Sequence, residues 1–479
     1  MEVFPVRQRQ WPASQTRESP AGAATVEPFA YCVTKKSLGD VCEHCLSRKE
    51  RLLRCSQCKV ARYCNIQCQK EAWQDHKQEC KCIKNIDPNF PPDSVRLVGR
   101  IIFKLLRQST CPSEELYSFS DLQSNFEKLS EEMKEGLGYL TKALQLYLKA
   151  EIQDASQLPP GLDVFQTFAK VLLMDLEWKK IKPLILEVLG LLSFLLDCAH
   201  YSGVADICSG NSSVASSILV IYVTCNCFSI SNGEVQDVGV GLYPSMSLLN
   251  NSCDPNCVIV FEGRQLYLHS VREIQIGEEL TISYTDTMMP STERRQQLKR
   301  QYCFECNCHM CHTHSRDADL LAGNEQAWKE VKEAINKMTT PKSQEEWKLA
   351  LVKCQTLLKN TSTLLPDTNI YQLKLLDLAM DACINLGLLE EALLYGNRTL
   401  EPFRFYYSGF HPLRAVQLMR VAKLQYSQDM FPQALETLKQ AYDIMKVTHG
   451  AEHSLVQNLM MLKEDCEAGK TAKSGFQIG

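Results

Sequence analysis

Between residues 42 and 80 the chain reads CEHC (42–45), CSQC (55–58), CNIQC (64–68) and HKQEC (76–80). These two C-x2-C pairs, one C-x3-C pair and one H-x3-C pair supply eight ligands, the complement of two tetrahedral zinc sites. A two-residue gap lets both thiolates of a knuckle reach one ion. A three-residue gap sets two ligands on one face of a helical turn. The spacing leaves the pairing open. It is sequential if Cys42, Cys45, Cys55 and Cys58 share an ion. It is interleaved if Cys42, Cys45, Cys64 and Cys68 hold one ion and Cys55, Cys58, His76 and Cys80 the other. Closed coordination in so small a unit reads as structural rather than catalytic.

Cysteine is abundant throughout, with 23 in 479 residues. The opening MEVFPVRQRQWPASQTRESP has no apolar stretch of the kind that begins a secretory signal. A reducing compartment is therefore expected, in which clustered thiols hold metal and disulfides are rare. The length calls for more than one core and hence several domains. A net charge of −4 argues against wholesale coating by nucleic acid. Residues 42–81 nevertheless carry nine Lys or Arg against five acidic residues. That face suits DNA or an acidic or proline-rich peptide, and it equally suits a plain solvated surface.

Residues 1–26 show no period and read as disordered. From about 95 to 158 the pattern is helical; SVRLVGRIIFKLLRQ spaces apolar residues three and four apart, and QLPP ends the region. Residues 172–223 are first apolar and helix-like, then small and polar, then strand-like. Within them 183–199 is strongly apolar, but it holds Glu187 and Asp197 and is too short for a membrane span. Residues 224–286 read as strands, with a hairpin in VIVFEGRQLYLHSV and a strand in GEELTISY. From 320 onward the pattern is helical and weakly repeated. Ala392 and Ala434 stand 42 residues apart, as do His411 and His453, which suggests an array of helical hairpins.

A second cluster lies at YCFECNCHMCHTH, where Cys306, Cys308 and Cys311 form C-x-C-x2-C. Three thiolates leave one place on a zinc ion. Cys303, His309, His312 or a visiting cysteine could take it, and Cys253 in SLLNNSCDPNC (247–257) is well placed to visit.

With both clusters in view, the chain resembles the SET and MYND domain-containing lysine methyltransferases from about Glu27 onward. The cluster at 42–80 is similar to the family's MYND zinc finger. EIQDASQLPP, VGVGLYPSMSLLNNSCDPNC, GEELTISY and YCFECNC are similar to its split SET domain and post-SET zinc loop. The resemblance implies an α+β fold: a split SET domain of short β-sheets, an inserted MYND zinc finger, a post-SET zinc loop and an all-α, tetratricopeptide-like C-terminal domain. Expected boundaries are 1–26 for an atypical N-terminus, 27–41 for the first SET remnant, 42–80 for the finger and 81–171 for a helical SET insert. An atypical insertion at 172–223 follows, then core SET at 224–286, the post-SET loop at 287–319 and the helical domain at 320–479.

The resemblance also implies S-adenosyl-L-methionine as cofactor and three zinc ions. It implies the interleaved pairing for the finger, and Cys253 with Cys306, Cys308 and Cys311 for the third ion. Tyr117, Asn125, Asn250, Asn251, Tyr284 and Phe304 are implied as cofactor residues, Tyr284 as the catalytic group, and Phe228 and Tyr302 as walls of the lysine channel. Such chemistry needs alignment, exclusion of water and a desolvated, deprotonated lysine amine, and aromatic faces attract both cations. Histone tails and signalling proteins are the implied substrates, with a monomer in cytoplasm and nucleus.

Three departures from the family pattern stand out. Residues 1–26 lack a Gly-x-Gly turn, so one cofactor wall and one SET strand are expected to be missing. The insertion at 172–223 falls inside the catalytic domain. Asn251 stands where the family has histidine. Together they predict weakened activity, with a non-catalytic zinc scaffold as the alternative.

Overall fold

The computed structural model describes residues 24–108, 119, 122, 126–129, 131–171, 226–233, 236–407 and 409–476. The insertion at 172–223, with its apolar segment 183–199, lies outside the described residues. Among those described, no helix is long and apolar enough to cross a membrane.

The architecture is α+β. Strands β1 (Ala24–Val26) and β2 (Ala30–Val33) precede the finger, which contains β3 (Leu53–Arg54), β4 (Arg62–Tyr63) and helix α1 (Ile66–Asn85). Helices α2 (Asp93–Gln108), α3 (Glu131–Leu148) and α4 (Val164–Val171) follow. The chain then returns to strands β5 (Cys227–Ser231), β6 (Asp237–Leu242), β7 (Asn250–Asn251), β8 (Cys257–Glu262), β9 (Gln265–Ser270) and β10 (Thr281–Ile282). Sheet orders are β1-β9-β8 and β2-β6-β5, both antiparallel, and β7 runs parallel to β10. The fold is therefore split in sequence and joined in space, since β1 and β2 complete sheets whose other strands come some 200 residues later.

Two local expectations change. Residues 24–26 were expected to be disordered and instead form a strand, because Thr25 and its neighbours pair with Tyr267 in β9. GEELTISY contributes only Thr281–Ile282 as strand. Asn256 holds the preceding turn instead: its amide donates to the Glu279 carbonyl at 2.8 Å, and its Oδ1 accepts from Thr281 N at 2.8 Å.

The finger is bolted to the sheet by a buried square of charge. Arg96 and Arg100, one helical turn apart on α2, face Glu43 and Glu79 of the finger. Arg96 and Glu79 are fully buried. The arginines also donate to the carbonyls of Val33 (2.8 Å) and Tyr31 (2.6 Å). Those carbonyls lie on the outer edge of β2, so the guanidinium groups cap an edge that otherwise presents unpaired backbone. The β8–β9 turn docks on the finger too. Gly263 has φ +59°, and a Cβ there would lie 2.8 Å from the Cys45 carbonyl oxygen.

From Glu325 to Phe476 the described residues are mainly helical. Pro412–Ser427 and Phe431–Thr448 form one hairpin, Ile370–Leu386 and Leu389–Tyr406 another. The 42-residue repeat has a physical basis. His411 and His453 each stand at a helix start and accept a backbone N–H on Nδ1, from Leu413 (3.3 Å) and Leu455 (3.1 Å). Ala392 and Ala434 are both fully buried where paired helices touch. The array contacts the SET strands through Tyr407, which donates to Asp286 (2.8 Å), and His453, whose Nε2 meets the Phe261 carbonyl (3.1 Å).

Candidate active site and metal centres

Three ligand groups assemble. Cys42, Cys45, Cys64 and Cys68 form one, Cys55, Cys58, His76 and Cys80 the second, and Cys253, Cys306, Cys308 and Cys311 the third. Ligand atoms within each group all lie within 4.8 Å of one another. The finger's pairing is interleaved, and the sequential alternative is excluded. Zinc–sulfur bonds of ~2.3 Å in a tetrahedron put sulfurs ~3.8 Å apart. The sulfurs of Cys45 and Cys64 are 3.5 Å apart, those of Cys55 and Cys80 3.7 Å, and those of Cys253 and Cys306 3.9 Å. These groups fit zinc, the ion that tetrahedral thiolate and imidazole donors select.

Local sequence explains how the ligands converge. His76 and Cys80 are four apart on α1, and Asn65 caps that helix by accepting from Cys68 N at 2.8 Å. His76 turns Nε2 toward Cys58 (3.5 Å), while Nδ1 lies 3.3 Å from Glu79, which sets the ring's orientation. The thiols are coupled in pairs: the contact between Cys42 and Cys45 lowers the Cys45 thiol and raises that of Cys42, and the contact between Cys58 and Cys80 lowers Cys58 and raises Cys80. Of the other possible ligands to the third ion, Cys303 instead ends the helix α5 (Ser291–Tyr302) at φ 59°, and His309 and His312 are exposed.

A cavity of about 400 Å³ opens between the SET strands and the helical array. Phe228, Tyr284, Tyr302 and Asp286 line it from one side, and His411, His449 and His453 from the other. Burial holds His411 down to about 4 and His449 to about 3, so both rings are neutral at pH 7 and do not repel a cationic guest. These histidines were not expected at the site. The 42-residue repeat marked His411 and His453, but only as markers of a helical array.

Tyr284 is the junction. Its ring lies 4.5 Å from that of Tyr302 and 6.4 Å from that of Phe304, the latter edge-on. Its hydroxyl donates to the Leu249 carbonyl. Its backbone N–H donates to Asn251 Oδ1 at 2.8 Å, and Asn251 Nδ2 lies 3.9 Å from Cys306 Sγ. Asn251 therefore uses its side chain to tie Tyr284 to the third ligand group. Phe228 packs edge-on to Tyr243, with ring centroids 5.7 Å apart. Asn250, on β7, is exposed and donates to Glu279 at 2.6 Å. Asn250, Asn251 and Phe304 do not line the cavity; only Tyr284 joins the two sets. Tyr117 and Asn125 lie outside the described residues.

The charge square was not foreseen. Its signal was present: two arginines four apart inside the otherwise apolar SVRLVGRIIFKLLRQ, and glutamates next to zinc ligands.

A profile of the MYND finger matches residues 42–80, and one of the SET domain matches 216–285. The latter begins inside the stretch read as an insertion. Human histone-lysine N-methyltransferase SMYD3 is 52% identical over 92% of this chain and 91% of its own length. The chain belongs to the SET and MYND domain-containing lysine methyltransferases. The mouse SMYD3 enzyme is 51% identical with the same coverage, and human N-lysine methyltransferase SMYD2 is 28% identical over 90% of both chains. The family's SET enzymes use S-adenosylmethionine. The residues present fit such a group in one respect: the half-buried Phe304 ring stands beside Tyr284, a surface on which a flat heterocycle can stack.

Proposed function

We propose that this chain is an S-adenosylmethionine-dependent protein-lysine N-methyltransferase acting on histone H3 and H4 tails and on non-histone lysines. The observation that carries the reading is the position of Tyr284, between an aromatic-lined cavity and the Phe304–Asn251 side. When bound, S-adenosylmethionine supplies a methyl group on a sulfonium. Tyr302 and Phe228 wall the approach of the lysine. Their apolar faces exclude water and favour the neutral amine, the nucleophilic form. With its proton committed to Leu249, the Tyr284 oxygen can accept a hydrogen bond from an N–H of the neutral lysine amine and orient its lone pair. Asn251 and Phe304 hold the cofactor side, together with Asn250, Tyr117 and Asn125.

The basic finger is proposed to dock partner proteins through acidic or proline-rich segments, with DNA contact as a weaker, salt-sensitive mode. A monomer distributed between cytoplasm and nucleus accords with this reading. Nothing among the described residues favours a non-catalytic scaffold. The test is calorimetric binding of S-adenosylmethionine to the zinc-replete chain, followed by methyl transfer to H3 and H4 peptides. Binding with transfer is expected. A cooperatively folded protein that binds no cofactor would overturn the proposal.

A further inference from the structure

Arg294 sits on α5, 1% exposed, among thiols. Its Nε donates to Cys253 Sγ at 3.1 Å and its Nη2 to Cys311 Sγ at 3.6 Å. The remaining donors reach the Met289 carbonyl at 2.6 Å and Ser291 Oγ at 3.3 Å. Among the described residues no carboxylate pairs with this guanidinium. A buried charge without a counter-charge is costly. Among the described residues the groups in reach that can carry a counter-charge are the sulfurs of the third ligand group, as thiolates on a metal ion.

The three groups differ in a way that makes sense of this. Four thiolates around a zinc ion leave two net negative charges. The first group is of this kind, but three of its four cysteines are only half-buried, so water screens it. The second is fully buried, but His76 replaces one thiolate and removes one charge. The third has four thiolates and is buried at three of them. It alone has a guanidinium hydrogen-bonded to its sulfurs among the described residues.

We infer that Arg294 is a positioning residue for the post-SET zinc. It offsets half of the site's excess charge and clamps Cys253, the ligand that arrives from the SET strands, to Cys311 of the loop. The effect extends toward the cavity. Arg294, Leu298 and Tyr302 recur every four residues along α5, and Leu298 is buried in the same cluster as Cys253, Cys306 and Cys311, with Tyr302 packed against it. The clamp thus sets the seat of Tyr302 as well as the ion. The inference rests on zinc in the third group and is independent of methyl transfer.

The test compares full-length wild type with Arg294→Met, which removes charge and donors, and Arg294→Lys, which keeps the charge but not the fork. Zinc release to a chromogenic chelator is followed together with 113Cd NMR of the cadmium-loaded protein. The wild type is expected to hold three ions. In Arg294→Met one of them should leave ~10–100-fold faster. One of three cadmium resonances should shift, the same one that is missing in Cys253→Ser, and Arg294→Lys should fall between. Unchanged release with three unshifted resonances would overturn the inference. So would equal acceleration of all three ions, which would mark general loosening. Should Arg294→Met fail to fold, Arg294→Lys decides by the same readouts.

Discussion

The finger and the post-SET loop both gather thiols around zinc, yet they are held in place by opposite means. The finger's eight ligands all fall within 42–80, and its attachment to the rest of the molecule is a neutral square, Arg96 and Arg100 against Glu43 and Glu79. The post-SET group instead borrows Cys253 from the SET strands, and the guanidinium of Arg294 offsets half of its excess charge. In the first case the metal folds the module and charge pairs dock it. In the second the metal itself is the dock. A mutation in the finger's mount should therefore cost stability, and one in the post-SET group should cost the active site.

The largest effect should come from Cys253→Ser. Elemental analysis should find two zinc ions instead of three, and methyl transfer should be abolished while the finger stays metallated. Retention of both activity and three ions would break the contrast. Next is Glu79→Ala, which leaves two buried guanidinium groups short of a counter-charge. The expected cost is ~3–5 kcal/mol in denaturant unfolding, with zinc release quickened at the finger and not at the post-SET site. Tyr284→Phe should leave zinc content alone and, through loss of the Leu249 hydrogen bond, cost only ~1 kcal/mol of stability. It should lower kcat by ~10²–10³-fold, equivalent to ~2.7–4 kcal/mol; a normal kcat would remove Tyr284 from the chemistry.

Acidification probes the packing against which the post-SET side works. Burial holds His269 and His411 down to about 4 and His449 to about 3. Each stays neutral in the fold and takes up a proton on unfolding. Their contribution is whole above the ordinary histidine value and drains away as pH falls toward about 4. Between pH 7 and 5 this amounts to ~2 kcal/mol per histidine. His449→Gln should flatten the pH dependence of Tm, and a slope unchanged from wild type would refute the assignment. The smallest effect is expected from Gly263→Ala, ~1–2 kcal/mol, from a left-handed backbone and a Cβ pressed on the Cys45 carbonyl. It should be read as a fall in Tm with all three ions retained.

The contrast also explains what could be read from the chain. The finger was legible because its ligands are local and their spacing has few structural solutions; only the pairing needed space to decide. Cys306, Cys308 and Cys311 were legible for the same reason. Cys253 was a candidate from its place in the chain, but only family resemblance chose it over Cys303, His309 and His312. Tyr284 and Tyr302 were likewise named by resemblance, because an aromatic residue in a strand or helix reads as core until its neighbours are known. His449, Arg294 and the charge square were missed. Their roles depend on which distant element packs opposite, and that is tertiary information. Strand β1 was missed because three residues carry too little pattern to outweigh the irregular composition before them.

The visiting ligand also orders events in time. Cys253 and Cys306 are 53 residues apart in the chain, whereas both ligand groups of the finger close within the segment from Cys42 to Cys80. Closing short loops is entropically cheap, and contacts distant in sequence form late. A ribosome-bound chain can therefore metallate its finger once residue 80 has emerged, but it must wait beyond residue 311 for the last ion. Zinc scarcity during synthesis would yield a protein with an intact finger and an open catalytic loop, able to dock before it is able to act.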